Sequence, residues 1–152
     1  MTNKPGARSR RSFIFVPGLR PEMYPKALKS GVDMVCVELE DGIAPKDKQE
    51  ARRKALALFE APPADDNVEK ILRINSVRER FGIEDLSAIL NSKSPPPAIM
   101  MPKVRTADEV VLVDQLLGEA PRGWPGISEV SRQSRQPRGL EANGPRKPGS
   151  QA

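Results

Sequence analysis

The sequence predicts an α/β fold built on a parallel sheet, and three observations carry that reading. Four apolar runs alternate with four helical patterns between residues 12 and 119. The runs are almost continuous in apolar residues, as expected of strands covered on both faces. Successive runs begin about 20–40 residues apart, which leaves room for right-handed helical crossovers. Strand and helix alternating in this way imply parallel neighbours.

The first unit is SFIFVPG (12–18) followed by PEMYPKALKSG (21–31). Pro25 would break an early hydrogen bond in a helix beginning at Pro21, so the regular helix is expected to start near Pro25. The second is DMVCVELEDG (33–42), then DKQEARRKALALFEA (47–61). Asp47 followed by Glu50 has the form of a helix N-terminal cap, and Ala51, Ala55, Leu58 and Phe59 share a face. KILRINS (70–76) precedes EDLSAILNSK (84–93), whose Leu86, Ile89 and Leu90 share a face. The fourth unit is AIMMPKV (98–104), then TADEVVLVDQLLGE (106–119). Thr106 and Glu109 form a capping-box signature ahead of Val110, Val113 and Leu117.

From Ala120 to Ala152 the periodicity stops. This segment holds five prolines and five glycines and reads as a disordered Pro/Gly/Arg-rich tail. Net charge is +5, but residues 12–119 alone are acidic by three charges. The basic character belongs to a short N-terminal arm (1–11) and to the tail. Such ends can bind anionic partners. Solvated ends are the preferred reading, because the tail has one aromatic, Trp124, and no stacking pattern for nucleic acid. The domain plan is thus arm 1–11, folded domain 12–119 and tail 120–152.

The chain has no histidine and one cysteine. That removes histidine triads, histidine-ligated zinc and any disulfide framework. A reducing, cytoplasmic setting is expected. No apolar run reaches membrane-spanning length. Cys36, inside MVCV, is expected as a small core residue, and Met100 and Met101 as core filler.

Parallel α/β folds place ligands at the carboxyl ends of their strands. Gly18 and Arg20 follow the first run, and Glu40, Asp41 and Gly42 follow the second. Arg73 and Asn75 stand at the third, Pro102 and Lys103 at the fourth. Acids and cations therefore converge on one rim. A structural ion network and a reaction site explain them equally at this level. The apolar neighbours of Arg73 argue for its partial burial, which asks for an anionic partner from the protein or from a ligand.

RSFIFVPGLRPEMYPKAL, GVDMVCVELEDGIAPKDKQEAR, LRINS and IMMPKV, in this order, resemble the N-terminal half of the citrate lyase beta subunit-like family. This is the HpcH/HpaI aldolase group, with malyl-CoA and citryl-CoA lyases. The resemblance covers about residues 11–119. It implies a (β/α)8 TIM-barrel fold and cleavage or formation of carbon–carbon bonds beside a carbonyl. It also implies Mg²⁺ and a CoA thioester with an oxo acid as substrates. Carried over by motif, Arg73 grips the carboxylate of the oxo acid. Glu40 and Asp41 orient water or metal, and Asp41 moves a proton in the retro-Claisen step. Arg20 and Lys103 are weaker rim contacts.

The pattern also departs from that family. A TIM barrel has eight strands and typically about 250 residues, whereas four βα units are legible here. The family's direct metal ligands, a Glu and an Asp, come from later strands. Glu129 and Glu141 match neither motif, so no metal ligand is assigned. The tail is expected to arise from a lost reading frame after Glu119 or from fusion to unrelated coding sequence. A half-barrel leaves open edges, so the expected outcomes are aggregation, a partly molten state or pairing with a second copy as a homo-oligomer. Three expectations follow: a lyase inactive as an isolated chain, a non-catalytic remnant, or an anion-binding protein acting through its basic ends.

Overall fold

The computed structural model describes residues 10–61 and 67–118. Most of the expected arm and the whole tail lie outside these residues. Four strands form one sheet: β1 (Phe13–Pro17), β2 (Met34–Glu38), β3 (Glu69–Arg73) and β4 (Ile99–Met100). Their order is β1-β2-β3-β4 and every pair is parallel. Each crossover therefore moves one strand along, through α1 (Tyr24–Leu28), α2 (Lys48–Leu58) or α3 (Arg80–Leu90). The last helix, α4 (Ala107–Gly118), follows β4.

Side chains alternate across a strand. Val16, Val35, Val37, Leu72 and Ile74 turn to the helices, where they meet Ala27, Ala51, Ala55, Leu86, Ile89, Val113 and Leu117 in one core. The expected helix faces are thus the buried ones. Leu58, Phe59 and Leu90 pack at the margin of this core.

The opposite face carries Phe13, Phe15, Cys36, Glu38, Ile71 and Arg73 by the same alternation. It departs from the expectation that every strand is covered on both sides. Phe13, Ile14 and Phe15 are all exposed. Their strand lies at the edge of the sheet, with a neighbour on one side only. Phe13 and Phe15 cover each other in part, edge to face with ring centroids 4.9 Å apart.

Local expectations are adjusted in three places. A 3-10 turn at Pro21–Met23 precedes α1, which starts at Tyr24, one residue before Pro25. Asp47 precedes α2 but makes no side-chain cap bond. It ends a 3-10 turn, Pro45–Asp47, and its own backbone is helical in region, so the chain enters α2 without the extended residue that a side-chain cap needs. Glu50 pairs with Arg53 and Lys54 instead. Glu109 of the expected capping box reaches the backbone N–H of Arg105 at 3.5 Å and the side chain of Arg78 at 3.3 Å.

The described end of the basic arm is pinned. Arg10 pairs with Glu69, and the backbone N–H groups of Arg11 and Ser12 donate to Asp33 Oδ2 at 2.8 and 3.2 Å. These bonds tie the entry of β1 to the starts of β2 and β3.

Candidate functional site

Register builds the site. Pro17, Glu38, Arg73 and Met100 are paired in one row across the sheet, at the carboxyl ends of β1, β2 and β3. Glu38 and Arg73 are therefore lateral neighbours on the face away from the helices. Arg73 Nη1 donates to Glu38 Oε2 at 3.0 Å. Beyond the row, the chain after β2 turns at Glu40 and Asp41, and the chain after β4 brings Lys103.

Glu40 stands between two cations. Arg73 Nη2 forms an ion pair with Glu40 Oε2 and lies 3.7 Å from Asp41 Oδ2. Lys103 Nζ lies 2.8 Å from Glu40 Oε1 and 3.3 Å from Asp41 Oδ1. The Glu40 carboxylate is buried and meets both cations as ion pairs. Its backbone N–H donates to Glu38 Oε1 at 2.6 Å, which joins the two acids.

Three features hold this arrangement. Gly18 runs over the end of β2, where an added Cβ would fall 2.8 Å from Leu39 Cδ2 and 3.0 Å from the Glu38 carbonyl oxygen. The Phe15 ring lies 5.7 Å from Arg73 Cζ, within cation–π range. Lys103 has a left-handed backbone, φ +52°, which costs energy for a residue with a Cβ. Its carbonyl accepts from Arg78 Nη2 at 3.2 Å, and Arg78 also meets Glu109 at 3.3 Å.

Beneath the acids is a buried polar network. Lys48 Nζ donates to the carbonyls of Leu39 (2.7 Å) and Glu40 and to Asn75 Oδ1 (2.6 Å). Asn75 donates from its backbone N–H and from Nδ2 to Asp85 Oδ2, at 2.8 and 2.7 Å. Asp85 Oδ1 accepts from Arg52 Nε at 2.7 Å. Sequence reasoning missed Glu38, Lys48, Arg52 and Asp85. Glu38 did carry a signal, a charge at an interior position of an apolar run.

The charge environment follows from these contacts. The hydrogen bond from Lys103 leads in holding Asp41 below the usual carboxylate range. Contacts with Glu40 and then Asp41 raise Lys103 above the ordinary lysine value. Burial works against the Arg73 charge, but the Glu38 hydrogen bond and the charges of Glu38, Glu40 and Asp41 outweigh it and raise its pKa. Lys48 is lowered, by burial first, against the pull of Asp85 and the acids above it. Cys36 is pushed up to about 12 by burial and then by the charge of Glu38, so its thiol is neutral and unreactive at ordinary pH.

Of the residues singled out in the sequence, Glu40, Asp41, Arg73 and Lys103 come together. Arg20 does not join them; it pairs with Glu22 on the exposed rim. No three His, Cys, Asp or Glu side chains among the described residues converge to hold a metal ion. The acids after β2 are already paired with Arg73 and Lys103. Among the described residues, no helix is long and apolar enough to cross a membrane.

Comparison with known proteins gives this rim a context. Residues 11–138 match the family described as HpcH/HpaI aldolase/citrate lyase. The chain is 38% identical over 114 residues to the L-malyl-CoA/beta-methylmalyl-CoA lyase of Rhodobacter capsulatus, which covers 73% of this chain and 35% of that protein. It is 31% identical over 108 residues to the citrate lyase subunit beta of Escherichia coli K12, covering 71% and 35%. Among solved structures, the citrate lyase beta subunit of M. tuberculosis, complexed with oxaloacetate and magnesium, aligns with a TM-score of 0.53 at 30% identity. That alignment covers 66% of this chain and 42% of the other. The chain thus spans about a third of the length of the curated relatives it matches. Its parallel sheet corresponds to part of their barrel-type fold. A family match across most of the chain, joined to a parallel sheet of the same kind, makes this protein a member of the HpcH/HpaI aldolase/citrate lyase family.

Proposed function

We propose that the described residues form the oxo-acid side of a carbon–carbon lyase site. The reaction is cleavage of a 3-hydroxyacyl-CoA of the malyl-CoA or citryl-CoA type into an oxo acid and an acyl-CoA. The observation that carries this reading is the meeting of Arg73 with Glu38, Glu40 and Asp41 at the carboxyl ends of β2 and β3. Two relatives, a malyl-CoA lyase and a citrate lyase subunit complexed with oxaloacetate and magnesium, supply the substrate class.

In such a cleavage a base takes the proton of the 3-hydroxyl. The bond between C2 and C3 breaks, its electron pair passes into the thioester enolate, and the oxo acid leaves with the new carbonyl. The enolate then takes a proton at carbon to give the acyl-CoA. In this chain Arg73 holds the oxo-acid carboxylate with its planar guanidinium. Asp41, exposed and ionised at neutral pH, accepts the proton. Glu40 holds the two cations in place. Lys103 and the more distant Arg20 are rim contacts for the anionic substrate. Magnesium is bound in the M. tuberculosis relative, and among the described residues no three acids converge to hold it.

A second reading is a structural ion network, favoured by the ion pairs that Glu40 already makes with Arg73 and Lys103. Binding through the basic ends is the least supported reading, because Arg10 and Arg11 are paired with Glu69 and Asp33. The test is Mg²⁺-dependent release of oxo acid from malyl-CoA and citryl-CoA by the purified full chain, with its mass in solution recorded alongside. A folded, soluble and silent chain is expected. Turnover that disappears in Arg73→Ala and Asp41→Ala would show a complete working site and overturn the expectation of inactivity.

A further inference from the structure

We infer that Lys48 is the positioning residue of the acid turn: it aims Glu40, and with it Asp41, at Arg73 and Lys103. An ammonium has three N–H donors and no acceptor. Lys48 spends all three on acceptors, two of which are consecutive backbone carbonyls at the turn, Leu39 and Glu40. The third is Asn75 Oδ1, at the end of β3. One side chain thus ties the peptide that carries Glu40 to the strand that carries Arg73. Lys48 is buried, so water does not compete for these donors.

The tie has its own foundation. Asn75 is oriented by two bonds to Asp85, and Asp85 is fixed by Arg52 on α2, the helix that also begins with Lys48. The path Lys48–Asn75–Asp85–Arg52 closes a ring between α2, the end of β3 and α3. Rotation of the Leu39–Glu40 peptide would leave buried donors on Lys48 unsatisfied. The orientation of the Glu40 carboxylate is therefore set from below, through the backbone, while its own oxygens remain for Arg73 and Lys103.

This inference rests on Glu40 and Asp41 as the acids of the site, and its test does not use turnover, so it can fail separately from the proposed reaction. The readout is the ¹⁵N spectrum of the Arg73 guanidinium in the full chain. An arginine clamped between Glu38 and Glu40 has hindered rotation and gives resolved Nη signals. Lys48→Met is expected to keep a dispersed, folded spectrum while the Arg73 Nη signals merge. The control Leu86→Ala, in the core on α3 and without a polar role, is expected to leave them resolved. Resolved Nη signals in folded Lys48→Met, or merged signals in Leu86→Ala, would overturn the inference. If Lys48→Met does not fold, the wild-type chain carries the test. The Lys48 ammonium is then expected to exchange slowly with water and to show couplings across hydrogen bonds to the Leu39 and Glu40 carbonyls. A rapidly exchanging, uncoupled ammonium would refute the proposal.

Discussion

Asp85→Asn tests the foundation of the site with almost no change of shape. Asp85 is 1% exposed and accepts three hydrogen bonds, from Arg52 Nε and from two donors of Asn75. Hydrogen bonds to a charged group contribute about 1.5–3 kcal/mol each. Their simple sum overestimates the loss, because an asparagine keeps one accepting oxygen and Arg52 keeps Glu84 at 3.1 Å. Removing one partner of a buried ion pair costs about 3–5 kcal/mol, and that is the loss expected here. It is a large share of the roughly 5–15 kcal/mol that stabilises a domain. The assay is urea unfolding of the full chain, comparing midpoints at equal slope. Arg52→Met in the same background removes the charge that the first change leaves uncompensated. The double variant is therefore expected to lose less than the two single losses added, with a coupling of about 1–3 kcal/mol. A loss below about 1 kcal/mol for Asp85→Asn, or strict additivity with Arg52→Met, would refute the network as a structural unit.

Gly82→Ala adds a better helix former inside α3, yet its Cβ would fall 2.0 Å from the Ser76 carbonyl oxygen, so a loss of about 1–3 kcal/mol is expected; a more stable variant would contradict the close approach. Cys36 is expected to resist thiol reagents in the folded chain at pH 8 and to react once urea unfolds it. Its folded pKa of about 12 exceeds the ordinary 9.0, so its contribution to stability is intact below pH 9 and lost as pH rises towards 12; unfolding midpoints measured across that window check the sign. Asp41 has the opposite sense. Its depressed pKa contributes above the ordinary carboxylate value of 3.8 and is lost as pH falls through the folded value. Lys103→Gln is expected to move Asp41 up towards that ordinary value in a carboxyl NMR titration, and an unmoved Asp41 would mean that the ion pair does not form in solution.

Periodicity made the sheet legible. VCVEL and KILRI had to be buried, and the runs at Ala51/Ala55 and Leu86/Ile89 had to face them. The same logic placed Glu40, Asp41, Arg73 and Lys103 on one rim, since chains leaving adjacent parallel strands converge at that end. The remainder depended on contacts that no local pattern encodes. Lys48 sits two residues after Lys46 in PKDK, and nothing local separates the buried amine from the exposed one. Asp85 reads as an ordinary first-turn acid of a helix until Asn75 and Arg52 are brought to it. Arg20 read as a weaker rim contact after the first strand, but it stands at the turn beyond Gly18 and pairs with Glu22. SFIFV looked like a strand covered on both faces because its composition records what it is suited to bury. Among the described residues only its Val16 is buried.

The proposed function turns on Arg73 as the carboxylate-binding group of an oxo-acid site. The direct measurement is a ¹⁵N NMR titration of the full chain with glyoxylate and with pyruvate, with and without Mg²⁺, in the wild type and in Arg73→Lys. The lysine keeps the charge and loses the planar fork. Saturable shifts centred on Arg73, Glu40 and Asp41 are expected, with affinity at least about tenfold weaker in the variant, a difference of about 1.4 kcal/mol. Equal affinity in Arg73→Lys, or shifts that map away from the ends of β2 and β3, would contradict it.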